Sequence, residues 1–258
     1  MISEITDIND LSGGKASPLY PRVFSAFETR VSPFDGVYKQ TDRDKNQTAI
    51  FSCAEGHCTF IFSLNTDKEE LESFFKFGGI SSVTSCNRSD IPKSAECGEF
   101  HLMKFCGTAL NEDAEMLKAS DKSEVYKELF SSFGDYLNIS DFSVFYCELA
   151  SKISKNQAAF FYVRDKNAPL SFAAAPNICE NSAIISGVFT KEDFRGHNYA
   201  SRCVSALTFE LKKRGIGNIF LWCDTATVGF YEKLGYKEVS KIFIGRVKEW
   251  IFLISATA

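Results

Sequence analysis

Apolar positions along the chain switch between a period of two and a period near 3.6, and each switch marks a predicted element. In residues 1–95 a helical stretch near Pro21–Arg30 precedes short strands near Gly36–Gln40, Ala49–Cys53 and Thr59–Ser63. Lys68–Phe77 is amphipathic, with Leu71, Phe74 and Phe75 on one face, and Gly78-Gly79 stops it. Ile80–Cys86 reads as a strand, and the polar, proline-containing link Asn87–Cys97 is the candidate domain boundary.

The pattern sharpens beyond that link. Phe100–Phe105 is a strand and Asn111–Lys122 a charged loop or short helix. Ser123–Phe133 places Val125, Leu129 and Phe130 in helical register, and Phe142–Ile153 does the same with Phe145, Leu149 and Ile153. A meander follows, Ala158–Val163, Leu170–Ala175 and Ala183–Thr190, broken by polar turns at Asp165-Lys166-Asn167 and Ile178–Asn181. Then come a helix Tyr199–Arg214, a strand Ile219–Trp222, a helix Thr227–Leu234, and strands Tyr236–Ile244 and Glu249–Ile254. This order predicts an α+β fold, a mixed sheet flanked by helices, with an accessory α+β domain at 1–95 and a second domain at 98–258.

Composition narrows the function classes. With 45% hydrophobic and 24% charged residues in 258, the chain is neither disordered nor fibrous. A net charge of -4 speaks against a nucleic-acid binder or an anionic-membrane binder. Met1–Pro18 is polar and acidic, without the basic-then-apolar order of a signal peptide, so a cytoplasmic location is expected. The nine cysteines fall mostly in apolar stretches, where a reduced thiol packs as a small hydrophobe. Cys53, His57 and Cys58 cluster without a second ligand pair; a hairpin turning at Ala54–His57 accounts for them, and no metal is expected.

Chemistry concentrates in Ser186–Ala200. A buried-looking strand runs into a short polar loop and then into a helix whose Cys203, Val204, Leu207 and Leu211 form one apolar face. The free N–H groups at such a helix start, with the helix dipole behind them, suit an anion. Gly196, Ala200 and Ser201 are small enough for a phosphate to approach the backbone, and Arg195 adds a charged contact. A plain strand–loop–helix connection whose glycine eases a turn fits the same residues.

Arg195-Gly196-His197-Asn198-Tyr199-Ala200, following Val188-Phe189-Thr190, resembles the acyl-CoA-binding segment of GNAT acetyltransferases, whose pattern is Arg/Gln-x-x-Gly-x-Gly/Ala. Leu221-Trp222-Cys223-Asp224 followed by Phe230-Tyr231-Glu232-Lys233-Leu234-Gly235-Tyr236 resembles the family's second motif, with Asp224 and Tyr231 at its Asn-to-Tyr separation. The resemblance runs from about Gly98 to Thr257 and makes 98–258 a GNAT-like domain. Two residues depart from the pattern. Asn198 stands where the family usually has Gly, and Asn tolerates a positive φ better than other non-glycine residues. Asp224 replaces an Asn, leaving an acceptor-only side chain.

The resemblance implies direct transfer of an acetyl group from acetyl-CoA to an amine on a small molecule or a protein, with no metal, nucleic acid or membrane. It implies that the pantetheine arm pairs with the backbone of Val188, Phe189 and Thr190, that Arg195, Gly196, His197, Asn198, Tyr199, Ala200 and Ser201 receive the pyrophosphate, and that Asp224 touches the cofactor. Tyr231 becomes the acid that protonates the departing thiolate; read alone, a core tyrosine in an aromatic run is the safer reading, since buried tyrosines are common. Some family members use a Glu on the strand before the phosphate loop as base, but Ser182–Ser186 carries no carboxylate, so no base is assigned. The alternative is a non-catalytic acyl-CoA-binding or regulatory module with the same fold. Residues 1–95 echo the element order without a phosphate loop, as a degenerate GNAT-like half or an appended α+β domain would. A homodimer is compatible with all of this.

Overall fold

The computed structural model describes residues 1–28, 34–109, 112–137, 141–165 and 168–247. In chain order the strands are β1 (Ile2–Glu4), β2 (Gly36–Thr41), β3 (Gln47–Ala54), β4 (His57–Ser63), β5 (Ser82–Ser85), β6 (Glu96–Phe105), β7 (Glu115–Met116), β8 (Ala159–Asp165), β9 (Ala168–Cys179), β10 (Ser182–Thr190), β11 (Asn218–Cys223) and β12 (Tyr236–Arg246). The α-helices are α1 (Tyr20–Glu28), α2 (Lys68–Phe77), α3 (Ser123–Leu137), α4 (Phe142–Ser154), α5 (Tyr199–Lys213) and α6 (Val228–Lys233). The class is the expected one, α+β with mixed parallel and antiparallel pairing and helices on the strands. Among the described residues no helix is long and apolar enough to cross a membrane.

Two compact units form. The first comprises residues 1–103, 222–228 and 238 onward. Its strands run β1-β2-β3-β4-β5-β12, antiparallel except for β4 and β5, which are parallel and joined through α2. Phe51, Phe60, Leu71, Phe75, Ile80 and Val83 fill its core. Helix α2 forms over the residues its periodicity predicts, because Asp67 accepts the Glu70 N–H at its start and Gly78 closes its end. The Cys53–Cys58 hairpin is also present: the two cysteines face each other across β3 and β4, with Glu55 and Gly56 at φ 50° and 76° in the turn.

The boundary differs from the polar link near 95. β12, from the far end of the sequence, pairs Phe243–Arg246 with Ser82–Ser85 and so joins the first unit. A ladder between residues so distant is invisible to a composition shift. β1, β7 and three 3-10 turns are too short to carry a periodicity and were not expected. The expected strand Glu249–Ile254 lies outside the described residues.

One 3-10 turn, Arg88–Asp90, buries a carboxylate. Asp90 Oδ2 accepts from Ser63 Oγ (2.7 Å) and Ser85 Oγ (2.5 Å), while Oδ1 meets no donor among the described residues. Burial pushes the Asp90 pKa up, against the pull of the two hydroxyls and Lys68. The folded chain therefore holds this proton more tightly than the unfolded chain, and stability falls as pH rises through and above the ordinary carboxylate range. Asp90→Asn keeps an acceptor for both serines and is expected to flatten that dependence in urea unfolding measured from pH 4 to 8. An unchanged slope would contradict it.

The second unit comprises residues 104–221 and 229–237. Its order is β11-β10-β9-β8-β7, antiparallel except for β10 and β11, which are parallel and joined through α5. Phe160 and Phe172 stack at 5.0 Å, and Tyr126, Leu129 and Phe133 of α3 pack over them. α5 buries Cys203, Val204, Leu207 and Leu211, the predicted face, and its buried Thr208 hydroxyl meets Tyr236 Oη at 2.6 Å.

Candidate active site

The register of β10 against β9 slips between Ile184 and Ser186 and again between Ser186 and Phe189. Gly187 sits between the slips at φ 62°, a conformation that favours glycine. This is a β-bulge, which bends a strand and re-aims its remaining residues. In β10 those residues are Val188, Phe189 and Thr190. The Phe189 ring turns toward the α3 core, 5.9 Å from Phe133 and 6.3 Å from Phe172. Ser171 Oγ donates to the Phe189 carbonyl and lies 2.8 Å from Thr190 Oγ1, pinning the strand end.

A 3-10 turn, Glu192–Phe194, then leads to Arg195, which is extended, and to two left-handed residues, Gly196 at φ 80° and Asn198 at φ 61°. Asn198 thus adopts the positive φ that asparagine tolerates. Its side chain does not cap α5, and its carbonyl accepts the first helical bond, from Arg202 N–H at 3.0 Å. Among the described residues no acceptor meets the amides of Gly196 through Ser201. A Cβ built on Gly196 would meet nothing within 4 Å, so the space beside Gly196 is open among the described residues.

The side chains around the loop consume its carbonyls and spare its amides. His197 Nδ1 lies 2.9 Å from the Arg195 carbonyl, and Arg195 Nε donates to the Thr190 carbonyl at 3.4 Å. Tyr199 stacks on His197, with rings 6.0 Å apart, and Arg202 lies over Tyr199. Arg202 is itself tied to the Asp113 carboxylate at 2.9 Å. Ala200 and Ser201 are half-buried in the first turn of α5. A row of donors at a bent backbone, flanked by exposed Arg195, has the geometry that suits an anion.

Tyr231 lies in α6, half-buried, with its ring 6.1 Å from Tyr236 and 4.9 Å from Phe230. Tyr236 is buried, and burial drives its pKa well above the ordinary phenol value. Asp224 Oδ1 accepts from both the amide (2.9 Å) and the hydroxyl (2.8 Å) of Thr227, so this carboxylate closes the turn that starts α6. It belongs to the first unit, while Val188–Ser201 and Tyr231 belong to the second. Sequence reasoning passed over Gly187 and the Arg202–Asp113 tie. An isolated glycine inside a strand pattern was the available signal for the former.

The first unit offers a contrast. There too a helix joins two parallel strands, but the α2 N-terminus is occupied by carboxylates. Asp67 caps it, and Glu70 takes the Ile2 N–H (2.8 Å), Gln40 Nε2 (2.8 Å) and the chain's own ammonium (3.0 Å). An anion has no place there.

Comparison with known proteins agrees with this geometry. Residues 122–236 match the acetyltransferase (GNAT) family. No curated protein matches the chain. Among solved structures, the chain is similar to a GNAT-family acetyltransferase from Colwellia psychrerythraea (12% identity, TM-score 0.58, 96% of this chain and 100% of that one). It is also similar to a GCN5-related N-acetyltransferase-like protein from Streptococcus suis (13%, 0.59, 90% and 95%). A third is a GCN5-related N-acetyltransferase from Kribbella flavida (11%, 0.60, 90% and 96%). At these identities the likeness establishes the fold, and it takes in the N-terminal residues as well as 122–236.

Proposed function

Proceeding from the acetyltransferase (GNAT) match at residues 122–236, we propose that this protein transfers an acetyl group from acetyl-CoA to a primary amine. The observation that carries the reading is the uncapped start of α5, where left-handed Gly196 and Asn198 leave a run of amides without acceptors among the described residues. In this reading the pyrophosphate of acetyl-CoA takes those amides, with Arg195 beside them. The backbone after the Gly187 bulge, Val188 to Thr190, holds the pantetheine arm. His197 and Tyr199 act by shaping the loop rather than by touching the phosphate.

The chemistry asked of the chain is modest. A neutral amine attacks the thioester carbonyl carbon, the C–S bond breaks, and the thiolate takes a proton from Tyr231. A phenol hydroxyl is a proton donor of the kind a departing thiolate needs. Asp224 serves by fixing the turn into α6, and so the position of Tyr231. The first unit repeats the second's connectivity, a three-strand meander, a helix and a parallel strand. We read it as a degenerate copy of the same fold whose phosphate site is closed by Asp67 and Glu70.

Thiol release from acetyl-CoA in the presence of a panel of small amines and lysine peptides tests the proposal. Acceptor-dependent release is expected. Binding of acetyl-CoA by calorimetry without release for any acceptor would make the protein a binding module instead, and absence of binding would refute the site.

A further inference from the structure

The face of the first unit's sheet that turns away from α2 is polar. Side chains alternate across a strand, so Cys58 and Val83, which share the core with Leu71 and Phe75 of α2, point one way and their neighbours the other. Register sets His57 of β4 beside Ser82 of β5, and Ser82 beside Arg246 of β12. These three form one row on the second face. The next row holds Thr84, Thr59 and, on β3, Ser52. Ser52, Thr59, Ser82 and Thr84 are buried, between 2% and 8% exposed. Among the described residues none of their hydroxyls has a hydrogen-bond partner, which is uncommon for buried polar groups.

Arg22 reaches the same face from α1. The 3-10 turn Ile8–Gly14, which precedes α1, packs Gly13 against Ile50, and Ile50 lies on the same side of β3 as Ser52. Arg22 is half-buried, and burial pulls its pKa down, with the Cys58 sulfur opposing. Among the described residues neither Arg22 nor Arg246 makes an ion pair. A guanidinium taken from water without a counter-charge is unfavourable. His57 is open to solvent at the start of β4, but neighbouring atoms desolvate it enough to lower its pKa. Arg22 lowers it further, Glu55 opposes, and Arg246 adds a last downward pull. Three basic groups thus gather along this row, with one carboxylate, Glu55, among the charges that His57 feels.

We propose that Arg22, His57, Ser82 and Arg246 form an oxyanion site on the first unit, whose ligand is a phosphate dianion, free or esterified to a small molecule. Planar guanidinium forks match phosphate oxygens in pairs, while the ring N–H and the Ser82 hydroxyl supply single donors. Two guanidiniums and a protonated imidazole balance a double negative charge better than they would a lone carboxylate. All four residues belong to the first unit, whereas the loop before α5 belongs to the second. The site therefore needs no acetyl transfer to operate. It also differs from the α2 N-terminus of the same unit, where Asp67 and Glu70 already take the donors.

The His57 imidazole resonances of the full chain, identified by their loss in His57→Asn, test the site by NMR. Inorganic phosphate added at constant ionic strength should shift them saturably. It should also raise the His57 titration midpoint, because a bound anion favours the charged ring. Arg246→Gln, at an exposed position, should weaken phosphate binding at least about tenfold, and Arg22→Gln should do the same. Ala200→Trp should leave it unchanged. Glycerol 3-phosphate separates the two sources: binding tighter than that of phosphate assigns the ester, and binding no tighter assigns the free ion. A shift that never saturates, that chloride reproduces, or that keeps its full strength in Arg246→Gln would overturn the site. Loss of binding in Ala200→Trp would assign the phosphate to the loop before α5 and overturn it as well.

Discussion

Tyr231→Phe is expected to lower kcat by about 10²- to 10⁴-fold, the usual worth of a positioned general acid, while leaving acetyl-CoA affinity within about twofold. The expectation rests on what the substitution removes. The ring, packed 4.9 Å from Phe230 and 6.1 Å from Tyr236, keeps its place without the hydroxyl. What goes is the proton for the departing thiolate. The comparison variant is Tyr236→Phe, whose lost hydroxyl is a core hydrogen bond to Thr208. It should cost about 1 kcal/mol of stability and little turnover. Stopped-flow assay of thiol release for both variants separates the roles, and equal rates for Tyr231→Phe and wild type would remove Tyr231 from the chemistry.

Ala200→Trp should weaken acetyl-CoA binding at least about 10²-fold, or roughly 3 kcal/mol, in isothermal titration. Ala200 stands in the first turn of α5, two residues after left-handed Asn198, where the amides lack acceptors among the described residues. An indole there would fill the space over those donors while leaving the helix its bonds. Because the inner face of α5 is carried by Cys203, Val204, Leu207 and Leu211, the helix should still fold. Circular dichroism would confirm that. Binding at wild-type strength would show that the diphosphate sits elsewhere.

How much of this could be read from the residues varies with the kind of signal. α2 and α5 were legible to within a residue, since each has a long apolar stripe with a stop signal behind it. α6 came out shorter than its apolar pattern, at Val228–Lys233, because Asp224 and Thr227 form a turn ahead of it. The open loop before α5 was legible as small residues before a stripe, and Asn198 did take the positive φ that its chemistry allows. The contact of His101 with Thr225 and Glu238 was not legible. His101 lies 124 positions from Thr225 and 137 from Glu238, and only strand pairing brings the three together. The Gly187 bulge was half-legible, a glycine where a strand should have had a side chain.

The strand pairing that places β12 beside β5 also sets a schedule for folding. β5 is completed at Ser85, but its second neighbour consists of residues 236–246. During synthesis the nascent chain must carry an unsatisfied strand edge through about 150 further residues, roughly 10 to 30 s at ribosomal speed. Such an edge is a template for mispairing. Expressing residues 1–97 alone would make that temporary hazard permanent, and such a fragment should aggregate unless a peptide spanning 236–247 is supplied in trans.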